Sequence, residues 1–295
     1  MAQLTLPAQK HHIRSFLGKW IGLVPFFLFA LLFILLPSLG LLAGSFLDAD
    51  GNFTLKNIAE LFTTPFIVNA YKLSIQISSV TALGGGIFGF LLAYSVTVGG
   101  LPRPFRTAMI TFSGVASNFA GVPLAFAFVA TLGRTGFVTA ILKNVFGVEI
   151  YQTGFTLYSF LGLAITYMYF QFPLMVLIMT PALDGLKREW REAAENLGAS
   201  TFQYWWRIAL PILLPSILGS MILLFGNAFG AYATAYALTG GALPIITIQI
   251  GAQIRGDVLH NPNLGYAMAM GMVFIMAISL AGYSWLQKFS ERWLR

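Results

Sequence analysis

The sequence REAAENLGAS at residues 191–200, followed by RIALP at 207–211, forms the most highly charged part of an otherwise apolar chain. Seven of the twelve residues at positions 184–195 are charged, whereas the long runs on either side carry almost none. Apolar residues recur at steps of three and four over 183–197, which is typical of an amphipathic helix. Gly198 follows the last residue of that pattern, where helices commonly end in the left-handed conformation. We therefore predict a helix that stops at Gly198.

A second short helix is predicted after this glycine, over Thr201–Leu210. Ser200 and Gln203 have the spacing of a capping box, in which the two side chains bond reciprocally to backbone amides. Pro211 then marks the start of another helix, because proline fits a first helical turn but interrupts a helix already formed. The predicted order is helix, glycine turn, helix and membrane span.

The composition is that of an integral membrane protein. Of the 295 residues, 57% are hydrophobic and only 9% are charged, whereas soluble domains carry about 25% charged residues. The chain has no cysteine, which excludes disulfides and thiolate metal sites. The net charge of +7 comes from basic residues in short loops and termini, so it indicates membrane orientation rather than nucleic-acid binding.

Uncharged runs in the sequence predict an all-α polytopic protein with six transmembrane helices. The predicted spans are about 20–47, 73–98, 107–133, 155–183, 212–238 and 264–287. They form one membrane domain over 20–290, between polar tails at 1–19 and 291–295. The first run is longer than the core of a cleavable signal peptide, so we interpret it as a retained span. Residues 243–254 are too few to cross a bilayer and predict a short external helix or re-entrant flap.

The distribution of lysine and arginine predicts the orientation of these spans. Twelve basic residues lie on the side of both termini and five on the other, which together make up the 17 in the chain. The twelve are Lys10, Arg14, Lys19, Arg103, Arg106, Lys187, Arg188, Arg191, Arg207, Lys288, Arg292 and Arg295. The five are Lys56, Lys72, Arg134, Lys143 and Arg255. Because cytoplasmic loops carry the excess of basic residues, the termini and 184–211 are predicted to be cytoplasmic.

The predicted spans contain no Asp, Glu, Lys, Arg or His. Ion-coupled secondary transporters use such residues as relays, so their absence argues against that class. The sequence also lacks the GxxxxGK[ST], HExxH and GxSxG patterns of ATP-binding and hydrolytic sites. A secondary transporter or channel, and a scaffold or enzyme that does not transport, remain as alternatives.

Uncharged polar residues within the spans are candidates for a translocation pathway. They are Asn118, Tyr167, Gln171, Asn227, Tyr232, Thr234 and Tyr236. Each can offer hydrogen bonds to a solute, but each could instead bond neighbouring helices, at less than about 2 kcal/mol. We favour Asn227 and Tyr232 for the pathway, because both lie midway along the predicted fifth span.

The spacing Glu-Ala-Ala, three residues, Gly, nine residues, Ile-x-Leu-Pro resembles the EAA loop of type I ABC importer permeases. In that family the loop forms a coupling helix that docks into a groove on an ATPase subunit, so we name residues 184–211 the coupling segment. The resemblance assigns ATPase contact to Glu192, Ala193, Ala194, Leu197, Gly198, Phe202, Ile208, Leu210 and Pro211. The alternative is a cytoplasmic loop that lies on the lipid surface.

The resemblance also implies the partners of the chain. They are a dimer of a separate ATPase that binds ATP and Mg²⁺, a second permease subunit, and an extracytoplasmic substrate-binding protein. The second permease is either another copy of this chain or, as we favour, a different chain. This chain would hold no cofactor, bind no nucleic acid and lie in the lipid bilayer of the bacterial inner membrane. The pattern looks closest to the permeases for spermidine/putrescine, ferric iron and aminoethylphosphonate. Polyamine is the favoured substrate, although the lack of carboxylates in the spans leaves this open.

Overall fold

The computed structural model describes residues 22–255 and 261–291, which form a bundle of helices. The helices are α1 (Val24–Gly44), α2 (Lys56–Thr63), α3 (Pro65–Thr97), α4 (Arg103–Asn118), α5 (Val122–Leu132), α6 (Phe137–Phe146), α7 (Phe160–Asp184), α8 (Arg188–Asn196), α9 (Thr201–Phe229), α10 (Ala233–Thr239), α11 (Ile246–Arg255) and α12 (Pro262–Glu291). A turn of 3₁₀ helix at Ile150–Gln152 precedes α7. The predicted tail at 1–19 and residues 292–295 of the predicted tail at 291–295 lie outside the described residues, whereas Glu291 ends α12.

Six helical segments are long and apolar enough to cross a membrane, which confirms the predicted fold class. They are Val24–Gly44, Pro65–Thr97, Val122–Phe146, Phe160–Asp184, Thr201–Phe229 and Pro262–Trp285. In the part of the chain that the structure describes, the backbone pairs as β structure only at an isolated bridge between Leu47 and Phe53. A short helix is present within the region predicted at 243–254, as α11, and the Ser74 hydroxyl accepts a hydrogen bond from its Ile246 N–H at 2.8 Å.

The run predicted as a third span, 107–133, is two helices rather than one. The chain leaves helical geometry at 119–121, between α4 and α5, and Gly121 has φ of 75°. Pro123 in the first turn of α5 suits a new helix, because a proline there lacks only an N–H that would be unpaired anyway. Hydropathy alone does not reveal this break, because all of 107–133 is uncharged.

The run predicted as a fifth span, 212–238, differs from the structure at both ends. Near its C-terminal end the chain is interrupted at residues 230–232, between α9 and α10. At the other end, our prediction of a new helix at Pro211 is wrong, because α9 continues from Thr201 through Pro211. A π-helical turn at Trp205–Ala209 precedes the proline. This wider turn makes room for the ring and so lets the helix continue.

The centre of the bundle is the contact between α3 and α7, which pack closely through glycine. A Cβ atom on Gly85 would lie 2.6 Å from the Gln171 Cβ, and one on Gly89 would lie 2.6 Å from the Met175 Cβ. Small residues at this spacing let membrane helices approach closely. By contrast, the side chains along α1 are exposed, apart from the last turn, where Gly44 is buried.

Candidate functional site

The coupling segment has the local geometry that its sequence predicts. Gly198 has φ of 78°, and its N–H bonds to the Glu195 carbonyl, while the Ala199 N–H bonds to the Ala194 carbonyl at 3.0 Å. This pair of bonds is a Schellman motif, which satisfies the last carbonyls of α8. The capping box is also present, because Ser200 Oγ accepts from the Gln203 N–H and Gln203 Oε1 accepts from the Ser200 N–H.

Helix α8 packs on the first turns of α9 through small and aromatic residues. Ala194 is 4% exposed and lies in a cluster with Tyr204 and Ala209, against which Trp190 and Ile208 also pack. Ala194 and Ile208, two of the residues that the family resemblance assigns to ATPase contact, therefore lie in one cluster. Leu210 and Pro211 lie beyond the π turn within α9, half-buried.

The outer surface of the segment carries exposed apolar side chains. Leu197 is 88% exposed and Phe202 is 74% exposed, and the Phe202 ring stacks on Trp206 with centroids 6.3 Å apart. Glu192 and Ala193 are exposed on α8. Exposed apolar groups of this size beside charged residues are typical of a protein-binding surface.

Two ion pairs stabilise α8 along its polar side. Arg188 Nε lies 2.9 Å from Glu192 Oε1, and Arg191 Nε lies 2.9 Å from Glu195 Oε1, both at i,i+4 spacing. The hydrogen bond that Arg191 donates to the Glu195 carboxylate raises the pKa of the Arg191 guanidinium above its usual value. Exposed pairs of this kind contribute only a few tenths of a kcal/mol each.

Two helix breaks meet on the other side of the bundle and form a polar cavity. The Gly121 N–H in the first break donates to Thr234 Oγ1 at 2.7 Å, just after the second break. The carbonyl of Ala231 accepts from the Tyr167 hydroxyl at 3.1 Å and from the Thr247 hydroxyl at 3.3 Å. At the breaks these side chains form hydrogen bonds with backbone groups that have no partner within a helix. Such bonds are needed because an apolar bilayer cannot hydrogen-bond the backbone.

The cavity has a volume of about 370 Å³ and contains both residues that we favour for a pathway, Asn227 and Tyr232. The lining residues are Ser117, Ala120, Gly121, Phe170, Gly226, Asn227, Gly230, Ala231, Tyr232, Ala233 and Thr234. Asn227 is exposed, and its amide makes no side-chain hydrogen bond to another described residue. None of the lining residues is charged, so this cavity can hold a solute by hydrogen bonds and aromatic contacts.

Of the other pathway candidates, Thr234 lines the cavity, whereas Asn118, Tyr167, Gln171 and Tyr236 do not. Tyr167 and Gln171 are fully buried, and Gln171 Nε2 donates to the Leu224 carbonyl at 2.9 Å. Asn118 is exposed, but its amide donates back to the Gly114 carbonyl of its own helix at 2.9 Å. In this structure Tyr167 and Gln171 hold helices together, which is the alternative that the sequence left open.

Sequence reasoning named Thr234 as a pathway candidate, but it missed Ser117 and Gly121 as parts of the site. The glycine at 121, two residues before a proline, was a usable signal for the first break. Tyr232 has two further contacts. Its ring stacks on Tyr236, and it lies under the Arg255 guanidinium, whose carbon is 5.4 Å from the ring centroid.

Residues 85–295 match the family model described as "Binding-protein-dependent transport system inner membrane component". A ferric transport system permease protein of Actinobacillus pleuropneumoniae is 25% identical over 267 residues, which are 90% of this chain and 38% of that relative. The spermidine/putrescine transport system permease protein of Haemophilus influenzae is 26% identical over 277 residues, covering 90% of this chain and 93% of that one. The sulfate transport system permease protein of Escherichia coli is 28% identical over 183 residues, 61% of this chain and 62% of that one.

The chain thus spans about two fifths of the ferric permease and nearly all of the polyamine permease. Among solved structures, a bacterial ABC transporter involved in the import of the acidic polysaccharide alginate matches with a TM-score of 0.72. That match has 18% sequence identity and covers 95% of this chain and 97% of the other, so it shows a shared fold. The family match covers most of the chain and includes the coupling segment and both helix breaks. The chain therefore belongs to the family of inner-membrane components of binding-protein-dependent transport systems.

Proposed function

We propose that this chain is the permease subunit of an ATP-binding-cassette importer, in which the polar cavity passes the solute and the coupling segment receives movement from an ATPase. The observation that carries this proposal is the course of α9. This helix begins at the capping box of Ser200, inside the coupling segment, and reaches Asn227 in the cavity without interruption. A displacement of the segment therefore moves a wall of the cavity.

The proposed substrate is a small polar or charged solute, delivered by a binding protein, with a polyamine as the first choice. The similarity to a spermidine/putrescine permease over nearly its whole length supports this choice. The Tyr232 ring already lies under one cation, Arg255, and aromatic faces attract ammonium groups. Ferric iron and aminoethylphosphonate are the alternatives from the family resemblance, and sulfate is added by the match to a sulfate permease.

The proposed complex contains two permease subunits, because each chain offers one coupling segment to one half of an ATPase dimer. We propose that the second permease is a different chain. ATP and Mg²⁺ bind to the ATPase subunits, so this chain has no catalytic residue of its own.

The test is transport by the purified complex in proteoliposomes, with the co-purified ATPase and the binding protein present. We expect uptake that requires ATP and stops with vanadate, measured with radiolabelled putrescine, spermidine, ferric iron, aminoethylphosphonate and sulfate. The solute that is taken up names the substrate. Uptake of any of these without ATP, driven by an ion gradient, would instead indicate a secondary transporter or channel.

The proposed topology places both termini and the coupling segment in the cytoplasm. A cysteine at Gln9, which lies outside the described residues, and a cysteine at Gly51, in the loop before α2, are expected to label from opposite sides of the membrane. The chain has no cysteine of its own, so each variant carries a single thiol. Labelling of both positions from one side would contradict the topology.

The substitution Asn227→Leu is expected to lower transport without loss of assembly. The exposed amide can bond a passing solute, and removal of one hydrogen bond of about 0.5–1.5 kcal/mol reduces the rate roughly two- to tenfold. Assembly is kept, because the amide bonds to no other described side chain or backbone group. Uptake by Asn118→Leu is the matched comparison, since Asn118 is an exposed amide outside the cavity. Equal rates for Asn227→Leu and the wild type would assign Asn227 to packing.

A further inference from the structure

One ion pair links the start of α4 to the end of α7 across 78 positions of sequence. Arg106 Nη2 lies 2.7 Å from both carboxylate oxygens of Asp184. In residues 22–255 and 261–291, the other ion pairs join residues of a single helix or, for Lys143 and Glu149, of one short connection. The Arg106–Asp184 pair is thus the ionic contact between two membrane helices in this part of the chain.

Each of these charges is in an unfavourable place by itself. Arg106 stands in the first turn of α4, and Asp184 is the last residue of α7. A helix has partial positive charge at its N-terminus and partial negative charge at its C-terminus, so both residues oppose the helix on which they stand. Arg106 Nε is also enclosed without a hydrogen-bond partner among the described residues. The pair offsets these penalties only while the two helix ends stay together.

The two paired residues are connected to different parts of the protein. Asp184 is the first residue of the coupling segment, whereas α4 leads to Ser117 in the polar cavity. From Arg106 to Ser117 is about 17 Å along a continuous helix, at 1.5 Å a residue. The pair therefore connects the segment to the Ser117 part of the cavity wall, which belongs to a different helix from the part that α9 provides.

We propose that Arg106 and Asp184 act as positioning residues that make α4 follow the coupling segment, so that nucleotide-driven movement reaches the Ser117 side of the cavity. This rests on the proposed function, since it needs an ATPase to move the segment. The side chains are 35% and 48% exposed, and exposed pairs contribute little to stability. Their place between two moving parts therefore matters more than their contribution to folding.

The test follows a reporter thiol, Ser117→Cys, in the complex co-purified with its ATPase. The reporter is the only cysteine in this subunit. Its labelling rate with a membrane-impermeant maleimide is compared without nucleotide and after trapping with ATP and vanadate. Asp184→Asn and Arg106→Gln are expected to reduce the nucleotide-dependent change roughly two- to fivefold, the range that an exposed pair can supply. Rates are normalised to the amount of bound ATPase.

The exchange Arg106→Asp with Asp184→Arg is expected to restore the change to within about twofold of the wild type. It keeps the pair and places each charge at the helix end that favours it. Glu149→Gln breaks the Lys143 pair in an outer loop, where Lys143 holds the pKa of the Glu149 carboxyl low, and is expected to have no effect. This makes it the matched control.

The results separate this inference from the proposed function. A full nucleotide-dependent change in both single variants, or no recovery in the exchange, would overturn the role of the pair. Should a single variant fail to bind the ATPase, the exchange decides alone, by recovery or by loss. If the labelling rate of the reporter in the otherwise wild-type complex does not change with ATP and vanadate, both the proposed function and this inference are overturned.

Discussion

The substitution Gly198→Val is expected to separate ATP hydrolysis from transport and to weaken binding of the ATPase. Gly198 has φ of 78°, a conformation in which a β-branched residue is strongly disfavoured. A Cβ at this position would meet nothing within 4 Å, so the whole effect comes from the backbone. Strain of about 1–3 kcal/mol would shift the chain between α8 and α9. The exposed Leu197 and Phe202, on either side of the turn, would then be misplaced relative to each other.

The measurements are co-purification of the ATPase and substrate-stimulated ATP hydrolysis in proteoliposomes. We expect at least a fivefold fall in stimulated turnover for Gly198→Val, the equivalent of about 1 kcal/mol. Gly198→Asn should be milder, because asparagine adopts the left-handed conformation more easily. Gly185→Ala is the control in the same segment, because Gly185 has ordinary helical φ of −73°. Normal ATPase binding and normal turnover in Gly198→Val would refute the coupling role.

The coupling segment was predictable because its signals are local. The period of the apolar residues, the glycine after the last of them and the capping-box spacing all lie within about twenty residues. The glycine turn and the capping box were confirmed, by the φ of Gly198 and by the bonds of Ser200 and Gln203. The apolar period over 183–197 does not lie on one helix, because α7 ends at Asp184 and α8 begins at Arg188. The exposure of Leu197 was less predictable. It shares the apolar period of α8, yet it lies outside the cluster of Ala194 because the chain turns at Gly198.

The course of α9 shows where a local rule fails. Proline usually ends a helix, but the effect depends on whether the preceding turn can widen. Here the Leu210 N–H bonds to the Trp205 carbonyl, a π-type bond across the turn before Pro211. The Trp205 ring packs edge-on against Tyr94 near the end of α3, with centroids 4.9 Å apart. That contact joins residues more than a hundred positions apart, so sequence inspection could not supply it.

The cavity was less accessible to prediction than the spans, since it depends on two distant breaks. An uncharged run indicates that a segment can enter a membrane, but it does not indicate whether the segment forms one unbroken helix there. The break at 230–232 contains no proline, and glycine is common in membrane helices. The Ala231 carbonyl in this break is satisfied by the hydroxyls of Tyr167 and Thr247, which are distant in the sequence. Asn227 and Tyr232 were accessible because they are polar residues in an apolar run.

The contact between α3 and α7 leads to the second large effect, which concerns stability. Gly89→Ala is expected to destabilise the protein, although alanine favours a helix by about 1 kcal/mol over glycine. The new Cβ would lie 2.6 Å from the Met175 Cβ and 3.0 Å from the Phe172 carbonyl oxygen. The carbonyl belongs to the backbone of α7, so the clash is relieved only if the helices separate. Overpacking of this kind costs about 1–3 kcal/mol, and Gly89→Leu is expected to exceed Gly89→Ala.

Gly114→Ala makes the sign of this effect testable, because Gly114 lies within α4 and a Cβ there would meet nothing within 4 Å. With helix propensity acting alone, this control should leave the protein as stable or raise its stability slightly. The measurement is the melting temperature of each variant in detergent, with the amount of ATPase-bound complex as a second reading. A fall for Gly89→Ala together with no fall for Gly114→Ala would show that close approach of α3 and α7 stabilises the bundle. Equal melting temperatures for the two would mean that α7 moves away from α3 at little cost, and the glycine contact would then not determine the packing of the bundle.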